Sequence, residues 1–144
     1  EQYGMMEAID RWVVHNLISW CLDRERAAKQ SAPLLCVNVS EAALGNPEFA
    51  MFVRHELQRP GFSARKLCFE ICDIEAINHH ASVRRFITAL KPAGCRFAID
   101  DFGSGKVSFS HLKGLAVDFI KIDGSIIQNI LRNPADLAKL RAIA

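Results

Sequence analysis

Residues 95–105, with the sequence CRFAIDDFGSG, decide the fold of this chain. Cys95 to Ile99 is a short, mostly apolar run, which predicts a buried β-strand. Asp100 and Asp101 follow it directly, and the next residues, Phe-Gly-Ser-Gly, are typical of a turn. The segment therefore predicts a strand that ends in two carboxylates at one edge of a sheet.

Similar apolar runs occur on both sides of this segment, at residues 34–39, 67–71 and 117–122. Helical patterns separate these runs. Strands that alternate with helices predict an α/β fold with a parallel sheet and helices on its faces. Two architectures fit this alternation, a doubly wound open sheet and part of a barrel.

The helical segments are marked by apolar spacing and by their ends. We expect helices over about 5–28, from Asn46-Pro47, over 82–91, over 108–113, near Ser125, and from Asn133-Pro134. The first helix is expected to bury one face, which carries Ile9, Trp12, Val13, Leu17, Trp20 and Cys21.

Polar side chains at the ends of the predicted strands favour the barrel. The residues at or near these ends are Asn38, Glu70, Asp100 and Asp101, and Lys121. In a (β/α) barrel the carboxyl ends of all strands meet at one mouth, where active sites are built. We therefore predict a partial (β/α)8, TIM-like barrel, to which this chain contributes about half of the eight strands.

These side chains together form an all-oxygen ligand set with a neighbouring amine. Carboxylate and amide oxygens suit Mg²⁺ or Mn²⁺, and two such ions could activate water and neutralise a phosphodiester. Lys121 could orient the water, accept its proton or hold a phosphate oxygen. Structural roles stay open for each residue alone: backbone bonding for Asn38, a buried salt bridge for Glu70, a turn for the two Asp residues, and a solvent-facing position at a strand edge for Lys121.

Composition and charge exclude some partners. The chain has 144 residues, half of them apolar, and its 18 basic and 16 acidic residues give a net charge of +2. There is no basic stripe, and one Tyr and two Trp offer little base stacking, so a DNA or RNA polymer is not expected as partner. The adjacent Arg84 and Arg85 are interpreted as a solvated helix face.

The cysteines predict the compartment. Five cysteines with no C-x-x-C pair are expected to be buried, reduced thiols, which indicates a cytoplasmic protein. No apolar run approaches the ~20 residues that span a bilayer. No signal peptide is recognised, although a parent protein could be membrane-anchored through other segments.

Five segments carry a resemblance to a known family: residues 9–14 (IDRWVV), 37–40 (VNVS), 69–71 (FEI), 98–103 (AIDDFG) and 121–123 (KID). In order and spacing they resemble the EAL domains, with D-D-F-G and K-I-D the most specific elements. EAL domains are cyclic di-GMP phosphodiesterases, which open the messenger to linear pGpG on a (β/α) barrel with two Mg²⁺ or Mn²⁺ ions.

The resemblance implies roles for individual residues. Asn38, Glu70 and Asp100 correspond to metal ligands, Asp101 to a ligand of the second metal, and Lys121 to the lysine beside the hydrolytic water. Glu70 and Lys121 are thus the expected catalytic residues. Asp73 corresponds to the anchor of the loop after D-D-F-G, and that loop contains Phe102, Gly103, Ser104 and Gly105.

The sequence also departs from the family pattern. Residues 1–144 are expected to be the central part of one EAL domain, without the Glu-Ala-Leu segment and the C-terminal strands. Residues 70–73, EICD, stand where E-I-T-E is usual, and Lys106-Val107 stands where Tyr-Ser is common. These changes favour weaker activity, and the 144-residue fragment alone is expected to be inactive and poorly stable because its sheet edges are open.

Three functions follow in order of preference. The first is hydrolysis of cyclic di-GMP by the complete domain, in a homodimeric protein with a fused sensory or GGDEF domain. The second is a degenerate, inactive EAL domain that acts as a cyclic di-GMP receptor or regulatory module. The third is an unrelated Mg²⁺-dependent barrel enzyme.

Overall fold

Four short parallel strands form the sheet in the part of the chain that the structure, a computed structural model, describes: residues 2–28, 33–72, 79–103, 112, 114–129, 133 and 137–138. The strands are β1 (Leu35–Asn38), β2 (Leu67–Cys72), β3 (Arg96–Phe102) and β4 (Phe119–Ile122). Their spatial order is β1-β2-β3-β4, and each pair is parallel. This order follows the chain without the reversal that marks a doubly wound sheet.

Helices precede, separate and follow these strands. They are α1 (Gln2–Ala28), α2 (Glu41–Gly45), α3 (Pro47–Leu57), α4 (His80–Leu90) and α5 (Gly124–Asn129), with single 3₁₀ turns at Ala64–Lys66 and Lys91–Ala93. The short helix α2 was not predicted from the sequence. The helix predicted over 108–113 and the one from Asn133-Pro134 lie largely outside the described residues.

Side chains along each strand alternate between the two faces of the sheet, and only one face packs against helices. Val37, Phe69, Phe97 and Ile99 are at most 4% exposed and belong to the core between sheet and helices. Four phenylalanine rings from both layers pack there with centroids 5.2–6.0 Å apart, namely Phe49, Phe69, Phe86 and Phe97. The alternate strand positions, which include the polar strand-end residues, lie on the opposite face.

The buried face of α1 differs from the predicted one. Trp12 and Trp20 are 66% and 45% exposed, and Ile9 is also exposed. The residues that face the core are Asp10, Val14, Ile18, Cys21 and Leu22. Cys21 is buried as predicted, and Val13 and Leu17 pack partly against the core. The prediction was wrong for Ile9, Trp12 and Trp20, because it followed the largest apolar side chains, whereas the packed stripe contains a carboxylate that hydrogen-bonds across to another element.

The start of α3 agrees with the prediction. The Asn46 side chain accepts a hydrogen bond from the Glu48 N–H at 2.9 Å, and Pro47 occupies the first turn. Among the helices that the structure describes, none has the length and apolar character to cross a bilayer.

The five cysteines form no disulfide, but one of them contradicts the expected burial. Cys21, Cys68 and Cys95 are buried, Cys72 is half-buried, and Cys36 is exposed. Cys36 lies on β1 at the sheet face turned away from the helices, so the helices cannot cover it. Burial raises the pKa of Cys68 and of Cys95 to about 12, which keeps both as neutral thiols.

Candidate active site at the carboxyl ends of the strands

Parallel pairing brings the polar strand-end residues to one edge of the sheet. Asn38 is the Cα partner of Glu70 across β1 and β2, and Asp100 is the partner of Cys72 across β2 and β3. Asn38, Glu70 and Asp100 occupy alternate positions that share the face away from the helices. Lys121 on β4 completes this row.

A β-bulge positions the two adjacent aspartates. Ile99 pairs with Ile120, but the next pair joins Phe102 to Ile122, so β3 contains one residue more than β4 between these pairs. Within the bulge Asp101 has φ 56, a left-handed conformation that non-glycine residues rarely adopt. Asp100 therefore keeps to the sheet face, while Asp101 projects into an exposed position.

Lys121 on β4 connects two carboxylates, that of Asp100 on the adjacent strand β3 and that of Glu70 on β2, the strand beyond it. Its Nζ donates to Glu70 Oε2 at 2.9 Å and to Asp100 Oδ2 at 2.9 Å. The other oxygen of Asp100 accepts the Asp101 N–H at 3.0 Å. Since both carboxylates contact one ammonium group, they are drawn together despite their like charge.

Burial differs sharply among these three side chains. The side chain of Glu70 is 9% exposed, that of Asp100 24% and that of Lys121 48%. Hydrogen bonds to Asp100 and then to Glu70 raise the pKa of Lys121 above its ordinary value, so the amine is an ammonium in this arrangement. Cys36 is exposed as a residue, but its thiol is close to Glu70: partial desolvation first, and then the hydrogen bond to that carboxylate, raise the pKa of Cys36.

A buried carboxylate outside the predicted set supports the loop after Asn38. Asp10 of α1 is 7% exposed, and it accepts the Ser40 N–H at 3.2 Å and the Ser40 hydroxyl at 2.5 Å. The Ser40 oxygen in turn accepts the Ala43 N–H at the start of α2. If the buried face of α1 had been assigned correctly from the sequence, Asp10 would have been recognised as a buried carboxylate, because it lies on the same face as Val14 and Cys21.

The predicted substrate loop is described only at its start. Phe102 is buried in the core, and Gly103 follows with φ 92, a conformation that favours glycine. Asp73, Ser104 and Gly105 lie outside the described residues.

The donor chemistry of the strand ends fits a hard divalent cation. Asn38, Glu70 and Asp100 supply amide and carboxylate oxygens from three adjacent strands, and Asp101 adds an exposed carboxylate. Among the described residues no three His, Cys, Asp or Glu side chains are close enough together to hold a metal ion. In this structure Lys121 supplies the positive charge between Glu70 and Asp100.

The fold and site define a parallel α/β barrel domain with an acidic site at its strand ends. The model of the EAL domain family matches residues 1–144. The cyclic di-GMP phosphodiesterase PdeF of Escherichia coli K12 is 32% identical over 135 residues, which cover 94% of this chain and 18% of PdeF. The chain belongs to the EAL domain family.

Solved structures of EAL domains agree with the fold. The EAL domain of Xanthomonas citri FimX in complex with c-diGMP superposes with a TM-score of 0.85 at 26% identity, covering 99% of this chain and 56% of that one. The phosphodiesterase PaMucR in complex with c-di-GMP gives 0.81 at 26% identity, covering 99% and 61%. These neighbours are TIM barrels, which confirms the predicted partial barrel, and the chain spans little more than half of their length.

Proposed function

We propose that the complete domain hydrolyses one phosphodiester bond of cyclic di-GMP to give linear pGpG. The observation that carries the proposal is the contact of Lys121 with both Glu70 and Asp100, at 2.9 Å each. It places a cationic donor and two carboxylates, from three neighbouring strands, at the edge where barrel enzymes have their active sites. The family membership and the names of relatives such as PdeF support the same substrate.

Asn38, Glu70, Asp100 and Asp101 would hold Mg²⁺ or Mn²⁺ ions, two in the complete domain. When bound, such ions neutralise phosphate charge and lower the pKa of water. Glu70 suits the role of a fixed ligand because it is almost fully buried and its strand pairs on both sides. Asp101 suits a second position because the bulge turns it away from Asp100.

Lys121 and the loop after β3 would act on the substrate and the water. The Lys121 ammonium can donate to a phosphate oxygen or orient the attacking water at the strand ends. Phe102 anchors the start of the loop in the core, while Gly103 turns the chain out of the strand. Ser104 and Gly105 would continue this loop toward the substrate, with Asp73 as its proposed anchor.

We further propose that residues 1–144 are the central part of a single, larger EAL domain. Two exposed apolar surfaces support the proposal that the chain is part of a larger domain. Phe119 on β4 is 42% exposed on the sheet face away from the helices, and Trp12 and Trp20 of α1 are exposed on the outside. A closed barrel would cover the sheet face with its remaining strands. The proposed parent protein is a homodimer with a fused sensory or GGDEF domain.

A cyclic di-GMP receptor without hydrolytic activity is the second candidate. One observation favours it: Cys72, the strand partner of Asp100 in the sheet, stands where threonine is usual in this family. A receptor would bind the nucleotide and leave it intact.

The deciding experiment is to incubate the complete domain with cyclic di-GMP and Mg²⁺ or Mn²⁺ and to separate the nucleotides by chromatography. We expect linear pGpG from the unaltered domain and at least a hundredfold slower turnover from Asp100→Asn and Lys121→Ala. Asp23→Asn is the matched control, since Asp23 is exposed on α1 and pairs only loosely with Arg26 at 3.8 Å.

The alternatives give different results in the same assay. Intact cyclic di-GMP that is nevertheless bound by the folded domain would establish the receptor. Full hydrolysis by Asp100→Asn would contradict the assigned site, even if the unaltered domain is an active phosphodiesterase.

A further inference from the structure

A second surface with recognisable chemistry lies on the outside of the molecule, between α3 and α4. One hollow of this surface has a volume of about 170 Å³, and the apolar part of its wall comes from Leu44, Ala50, Met51, Phe86 and Ala89. A cavity of about 150 Å³ admits benzene, so this hollow has room for one aromatic or branched side chain. We call the surface formed by this hollow and its arginine rim the α3–α4 groove.

Arginines dominate the charge of the α3–α4 groove. Arg54 and Arg85 line this hollow, and two larger, more open hollows beside it, of about 440 and 580 Å³, are lined in part by Arg54 with Arg65 and by Arg84 with Arg85. All four side chains are exposed. Of the residues that the structure describes, none that lines these hollows is acidic.

Among the described residues the arginines are also without acidic partners elsewhere. Within the described part of the chain, no ion pair joins Arg54, Arg65, Arg84 or Arg85 to a carboxylate. The nearby carboxylate of Glu56 contacts His15 of α1 at 3.1 Å and Arg59, just after α3, at 3.3 Å. Four arginines in one place, with no ion pair to a described carboxylate, are a marked local excess of charge in a chain of net charge +2.

The apolar part of the groove is open to a partner. Met51 is 61% exposed at the edge of the hollow, while Phe86 is only 3% exposed and forms part of its wall. An adaptable methionine beside a fixed aromatic ring is suited to receive an apolar side chain. The groove is separate from the strand-end site, because α3 and α4 pack on the opposite face of the sheet.

We propose that the α3–α4 groove is a docking site for an acidic protein segment, which inserts one apolar side chain between Arg54 and Arg85. Carboxylates on either side of that side chain would pair with the arginines of the rim. The concave shape favours a peptide over a flat anionic membrane, which could reach the arginines but could not fill the hollow. Such contact would let a partner protein, or an acidic segment of a neighbouring domain, recognise this domain without entering the active site.

The test uses the complete domain and a short fluorescent peptide that has a single central Phe between runs of Glu. We expect saturable binding, measured by anisotropy, that weakens with added salt as the charges are screened. Arg54→Glu combined with Arg85→Glu should weaken it at least about tenfold. The matched control is Arg24→Glu with Arg26→Glu on α1, which changes the net charge equally and should leave binding within about twofold.

Three outcomes would overturn the proposal. The first is equal weakening by both double variants, since the effect would then be one of net charge. The second is equal affinity for a peptide whose Phe is replaced by Ser. The third is binding of anionic phospholipid vesicles, sensitive to the Arg54 and Arg85 changes, without binding of the peptide. Cyclic di-GMP hydrolysis should be unchanged in both double variants, so the proposed enzyme activity and this docking site can fail independently.

Discussion

Replacement of Lys121 by methionine tests the central contact of the site most directly. Methionine has a similar length and keeps the apolar stem, but it removes the ammonium that donates to Glu70 and Asp100. Both carboxylates then lose their shared cation while they remain close together. We expect the domain to become less stable in metal-free buffer, because the carboxylate of Glu70 is nearly buried and poorly hydrated.

The size of the effect follows from the exposure of the three side chains. Breaking a fully buried ion pair costs about 3–5 kcal/mol, whereas exposed pairs contribute about 0–1 kcal/mol. Glu70 is at the buried end of this range, but Lys121 is 48% exposed, so solvent screens about half of the interaction. An intermediate loss of about 2 kcal/mol in the free energy of unfolding is therefore expected.

Urea unfolding of the complete domain with a metal chelator measures this loss, and a double-mutant cycle assigns it. Glu70→Gln replaces the buried charge by a neutral amide of the same shape. Lys121→Met should then cost at least about 1 kcal/mol less in the Glu70→Gln variant than in the unaltered domain. Equal costs in the two backgrounds would refute the idea that Lys121 stabilises the fold through the Glu70 carboxylate.

Three further predictions concern residues beside the site and at the opposite ends of the strands. Asp101→Ala should be less stable than Asp101→Gly by about 1 kcal/mol in urea unfolding, because only alanine keeps a Cβ at φ 56; equal stabilities would contradict the strained conformation. Asp10→Ala should lower the free energy of unfolding by about 2 kcal/mol, since the Ser40 N–H and hydroxyl both lose the carboxylate that accepts from them, and a cycle with Ser40→Ala should show coupling of at least about 0.5 kcal/mol. Although burial opposes it, hydrogen bonds from Lys91 and the Phe97 N–H hold the pKa of Asp118 below its ordinary value. The stability that this carboxylate adds is thus complete above about pH 4 and lost as the pH falls through the lowered pKa. Asp118→Asn should therefore lower the free energy of unfolding at neutral pH, and its difference from the unaltered domain should shrink in acid. A difference that does not change with pH would count against this assignment.

The strands could be predicted from the sequence because their signal is local. Each apolar run is bounded by residues that end or begin a helix, as at Pro92-Ala93-Gly94 before β3 and Asn46-Pro47 before α3. The placement of Asn38, Glu70 and Lys121 at strand ends follows from the same local signal. The contact between Lys121 and Glu70 does not, since these residues are on strands separated by β3, and only the register of the whole sheet brings them together.

The phase of α1 and the exposure of Cys36 could not be predicted by the same means. Helical periodicity identifies a face from apolar side chains, but Asp10 is buried because of a partner, Ser40, that lies thirty residues away in the chain. Cys36 resembles any apolar residue within a strand. Its exposure depends on which sheet face the helices cover, and a strand four residues long does not encode this.

The bulge in β3 explains why two aspartates, and not one, follow the buried strand. Phe97 and Ile99 point toward the helices, so in a regular strand Phe102 would share the face of Asp100. Phe102 is nevertheless buried in the core beneath the helices, and Asp100 contacts Lys121 on the other face. Both conditions can be met only if one additional residue stands between them and reverses the alternation. Asp101 is that residue, and its left-handed backbone is the conformational cost of keeping a core phenylalanine and a site carboxylate two positions apart.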